Sequence, residues 1–150
     1  MKNIFIIGGV IVLVLFGGVW WSKSLQSADQ NVITAKGLHW HPHLEIYIQG
    51  KKLEIPANIG VGPQYAAKPT YDPGMRMTAV HTHTSDGVIH FEFGGVVRKE
   101  DTELSNFFRI WGKNFMELGS AVAMTVNGKE NTELEKYQMK DGDSIVLRYE

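Results

Sequence analysis

From residue 38 to residue 48 the chain changes character at every step. Leu38, Trp40, Leu44, Ile46 and Ile48 fall on even positions, while His39, His41, His43, Glu45 and Tyr47 fall on odd ones. A period of two is the side-chain period of a β-strand, so the stretch predicts one half-buried strand with its imidazoles opposite its aliphatic side. The same period returns in VHTHTSDGVIHFEF, where Val80, Thr82, Phe91 and Phe93 alternate with His81, His83, His90 and Glu92. All six histidines of the chain lie in these two stretches.

Asp86-Gly87 is a strong signal for a two-residue hairpin turn. With that turn Ser85 faces Val88, His83 faces His90 and His81 faces Glu92. Both strands then bring their polar residues to one side and their apolar residues to the other. A three-residue loop, 85–87, would set His90 opposite Thr82 and disperse the cluster.

The remaining elements are ordinary. Gln49-Gly50-Lys51 predicts a turn leading to a return strand over 52–56, which Pro56 ends. Seven glycines and prolines between 56 and 74 leave no room for a long regular element, so 57–77 is expected to be a loop of the functional or mobile kind. Leu104, Phe107, Phe108 and Trp111 recur at helical spacing, giving a helix over 100–111 that Asp101 or Thr102 starts and Gly112 stops. Strands follow at 121–126, broken by Asn127-Gly128, and at 144–149, after the turn Asp141-Gly142-Asp143. The expected class is α+β, and without the inserted histidine-bearing hairpin this is the order of elements in a β-grasp (ubiquitin-like) domain, with one helix packed on a mixed sheet.

Residues 4–21 are eighteen positions without a charge, which as a helix extend about 27 Å, enough to cross the hydrocarbon of a bilayer. Lys2 precedes the run, and Trp20 and Trp21 close it as an interfacial belt. No A-x-A site follows, which favours an uncleaved anchor over a signal peptide. The expected organisation is an anchor at 1–21, a polar linker at 22–36 and a folded domain at 37–150, as a single-pass membrane protein with that domain periplasmic or extracellular. With no cysteine in 150 residues, disulfides, zinc-thiolate sites and iron–sulfur clusters are excluded. A net charge of −1 gives no electrostatic footprint for nucleic acid.

Neutral imidazole binds zinc, copper, nickel and iron, and three or four converging nitrogens or oxygens make a typical site. His81, His83, His90 and Glu92 meet that requirement on one hairpin, and His39, His41 and His43 either complete the site or form a second. Nitrogen ligation favours copper or zinc, and Met75 and Met77 can add the soft thioethers that cuprous copper prefers. A metal-binding role in sequestration, delivery or sensing is the first expectation. The alternatives are a β-grasp interaction module for an envelope protein partner with a pH-responsive histidine surface, and a metal-dependent enzyme with Glu92, Glu45 or Asp86 as base. The chain carries no HExxH, nucleophile elbow or phosphate loop, so catalysis is the minority expectation.

The blocks HWHPHLEIYIQGKKLEIPANIGV, HTHTSDGVIHFE, LSNFFRIWGKNF and MTVNGK resemble, in order and over about residues 39–150, a family of small membrane-anchored or secreted prokaryotic proteins of uncharacterised function. The resemblance implies an extracytoplasmic domain with a histidine-lined surface, and it links His41, His43, His81, His83, His90 and Glu92. It carries over no activity and no metal.

Overall fold

The structure, a computed structural model, describes residues 8, 12–21 and 29–150. The chain divides into two units, Met1–Gln30 and Asn31–Glu150. In the first, residues 12–21 are helical (α1), and Val12, Leu13, Val14, Leu15, Phe16, Val19, Trp20 and Trp21 are exposed. The membrane-crossing helix expected over 4–21 lies partly outside the described residues. Among those described, no helix is long and apolar enough to cross a membrane.

The second unit is mixed α+β. Its strands are β1 (Val32–Thr34), β2 (Leu38–Trp40), β3 (His43–Ile48), β4 (Lys51–Leu53), β5 (Tyr71–Asp72), β6 (Met77–Thr78), β7 (Val80–His81), β8 (His90–Phe93), β9 (Val97–Arg98), β10 (Val122–Val126), β11 (Lys129–Glu130) and β12 (Ser144–Tyr149). Two short α-helices, α2 (Lys99–Thr102) and α3 (Leu104–Trp111), and a 3-10 turn at Phe115–Leu118 stand between β9 and β10.

The larger sheet has five strands in the order β11-β10-β12-β3-β4. Its centre is the parallel pair β12 and β3, with Ile145 beside Leu44 and Leu147 beside Ile46. Both flanks are hairpins. Gln49-Gly50 and Asn127-Gly128 turn them with positive φ at both residues, which suits the right-handed twist of the strands. The buried positions Leu44, Ile46, Met124, Val126, Ile145, Leu147 and Tyr149 share one core cluster with Leu104, Phe107, Phe108 and Ile110 of α3. The turn before β12 is pinned by the carboxylate of Asp143, which accepts from Asn127 Nδ2 at 3.0 Å, Tyr137 OH at 2.8 Å and the Lys140 amide at 2.8 Å.

Four expectations change. The strand over 38–48 is two strands in two sheets: β2 joins β8 and β7, while β3 enters the larger sheet. The break falls at His41-Pro42, where proline has no N–H to continue a ladder. The return strand is Lys51–Leu53 and not 52–56. The helix over 100–111 is interrupted at Glu103, whose extended backbone lets Leu104 N–H bond the Tyr137 carbonyl at 2.9 Å while Met139 N–H bonds that of Thr102 at 2.9 Å. Its start is Arg98, whose amide bonds the Asp101 carboxylate at 2.8 Å, and its end is Gly112 in the left-handed region, as expected. Finally, the folded unit begins at Asn31 and not Gly37, because β1 pairs antiparallel with β9.

Candidate metal centre

The smaller sheet, in the order β2-β8-β7, carries the histidines. Val80 pairs with Phe91, both fully buried in the core. The next pair, His81 opposite His90, faces the other way. This is not the expected register, in which His81 faces Glu92, and Asp86-Gly87 is not a two-residue hairpin turn: regular pairing stops at His81 and His90, and the chain between them is a longer loop. The pairing has moved by two residues, and an even shift leaves every side chain on its original face. His81, His83, His90 and Glu92 therefore still converge, with one ligand atom from each inside a group whose members all lie within 4.8 Å of one another.

His81 sits at the bottom of this group, fully buried. The segment 56–62, of which 57–62 is expected to be loop, packs along it: Thr82 donates its hydroxyl to the Pro56 carbonyl at 2.9 Å and accepts from the Ile59 amide at 3.0 Å, and Gly60 accepts from the Thr78 amide at 2.8 Å. Gly60 has φ +79°, and a Cβ there would strike Thr78 Oγ1 and lie 2.7 Å from the Val80 carbonyl. Gly60→Ala is expected to cost about 2 kcal/mol or more, from left-handed strain plus this overlap. Urea unfolding measures it, and an unchanged midpoint would contradict the close packing of this segment.

Burial also fixes the chemistry of His81. Its Nδ1 lies 2.9 Å from the Thr78 carbonyl, which can only accept, so Nδ1 carries the proton. Removal from water holds the imidazole below its ordinary pKa, so the ring is neutral near pH 7 and its Nε2 is an acceptor. That Nε2 lies 3.2 Å from Nε2 of His83, which therefore donates to it. Two nitrogens bound tetrahedrally at about 2.05 Å from one zinc would be about 3.3 Å apart. His90 stacks on His81 with centroids 5.5 Å apart and meets His83 edge-on at 4.6 Å. Burial, then the neighbouring His83 and His41, lower its pKa as well.

The first triplet divides. His39 stands opposite Glu92 across the β2–β8 ladder, with Nε2 3.5 Å from Oε1, and its ring is 4.7 Å from that of His41. His41 meets His90 at 4.8 Å, edge to face. His43, in contrast, donates Nε2–H to the Asp86 carbonyl at 2.8 Å. Expected as a ligand, it instead fastens the loop that joins β7 to β8, together with the Leu44 amide on the Gly87 carbonyl at 2.9 Å. The other carboxylates named from the sequence are occupied: Glu45 accepts from Lys52 Nζ at 2.6 Å and Tyr47 OH at 3.0 Å, and Asp86 accepts from the Val88 amide at 3.1 Å. Sequence reasoning missed Asp141, whose carboxylate accepts from the His41 amide at 2.8 Å. No local signal marks it, since the two are a hundred residues apart. No protein-family model, curated protein or solved structure matches the chain.

Proposed function

We propose that this is a metal-binding protein whose ion is held by His81, His83, His90 and Glu92. The convergence of four ligand atoms within 4.8 Å carries the reading. It is supported by the tautomer of His81, since a metal-bound imidazole characteristically donates its other N–H to a carbonyl or carboxylate. Three nitrogens and one oxygen suit zinc or copper. Met75 and Met77 line a cavity of about 220 Å³ together with His81 and Glu92, and soft sulfur beside the site favours copper.

The role is sequestration, delivery or sensing by a domain tethered to the membrane through residues 4–21, on the periplasmic or extracellular side, with an envelope protein as partner. The scaffold is read as β-grasp-like, on the strength of the parallel central pair β3 and β12 flanked by hairpins and covered by α3. Metal analysis after dialysis of the full chain against micromolar zinc or copper tests the function. Stoichiometric retention is expected, and a chain that emerges metal-free from both sinks the reading.

A further inference from the structure

Four ligands fill a tetrahedral shell, and two histidines remain at its edge. We propose that His39 and His41 hold a second metal ion, which shares Glu92 with the first, so that the protein carries a carboxylate-bridged pair of first-row transition ions. This rests on the reading of His81, His83, His90 and Glu92 as a metal site.

Three observations support the second ion. The β2–β8 register puts His39 directly across from Glu92, and its Nε2 is 3.5 Å from Oε1. That separation is long for a hydrogen bond yet shorter than two metal–ligand bonds end to end, about 4.2 Å. His41, two residues along the same segment, has its ring 4.7 Å from that of His39 and 4.8 Å from that of His90. The imidazoles thus run from one ligand group into the next without a gap.

Behind His41 lies Asp141, with Oδ1 3.9 Å from Nδ1 and anchored by the His41 backbone amide at 2.8 Å. At 3.9 Å the carboxylate makes no hydrogen bond to the ring, but it stands on the Nδ1 side, the side from which a carboxylate orients a ligating histidine, leaving Nε2 for the ion. Glu92 has two oxygens, one for each ion. As a plain ion pair, exposed His39 with Glu92 would contribute little and would leave the packing of the His41 ring between those of His39 and His90 unexplained.

Copper(II) sulfate titration of the full chain, read by metal analysis after dialysis and by electron paramagnetic resonance, tests the proposal. Two ions per chain with a spin-coupled signal are expected. His39→Ala with His41→Ala is expected to leave one ion and an uncoupled signal, and both side chains are exposed enough for the variant to fold, which circular dichroism checks. A wild-type chain that binds one ion overturns the second site and leaves the first standing, whereas a chain that binds none removes both. Two ions without coupling, or two ions retained by the double variant, place the second ion elsewhere and overturn the proposal.

Discussion

Replacing His81 by alanine is expected to weaken zinc or copper binding by at least about 100-fold, more than the loss of an outer-shell partner, which typically costs 10–100-fold. His81 is the proposed ligand whose tautomer is fixed by the Thr78 carbonyl, and its Nε2 is the atom against which His83 is placed. Because the side chain is fully buried, its removal also leaves a hole beneath the site. His83→Ala separates the two effects, since His83 is exposed and its loss opens no cavity. Competition with a chromophoric chelator reads both variants. His43→Ala is the contrast: its Nε2 is committed to the Asp86 carbonyl, so affinity should stay within a few-fold of the parent. Wild-type affinity in His81→Ala and His83→Ala together would remove the site.

Phe91→Ala is expected to cost about 3–5 kcal/mol, the usual range for emptying a large aromatic from a core. Phe91 is fully buried and lies between His90 and Glu92 on β8. One strand thus faces the core with one side and the ligand group with the other. Guanidinium unfolding measures the loss, and a cost below about 1 kcal/mol would mean that this face of β8 is not core. Zinc or copper added in excess should restore part of the lost stability, because an ion that binds only the folded chain shifts the equilibrium toward it.

The face on which each of His81, His83, His90 and Glu92 lies was legible in the sequence, because alternation encodes parity. Parity survives any even slip, and the pairing of His81 with His90 where Glu92 was expected is such a slip. The register itself was not legible. It depends on how the loop docks on His43 and Leu44, and those bonds join segments far apart in the chain. The same limit hid the burial of His81, against which Gly60 passes from a distant part of the chain. Pro42 was visible as a residue that cannot donate to a ladder, yet the regular alternation on either side of it outweighed that signal. Likewise, helical spacing from Leu104 to Trp111 identified α3, but nothing local announced that residues 102–104 would pair with 137–139.

The separation of the ligands along the chain bears on when the ion is acquired. His39 and His41 stand far along the chain from His81, His83, His90 and Glu92, and Asp141 behind His41 is far from both, whereas the orientation of His81 is set locally by the Thr78 carbonyl. Contacts of such long range form late, after the entropy of closing the intervening loops has been overcome. The nascent chain therefore offers scattered imidazoles of low selectivity, and the assembled donor set exists only after folding. If the group takes an ion as proposed, the choice of ion would be made where folding is completed, by the metals available there.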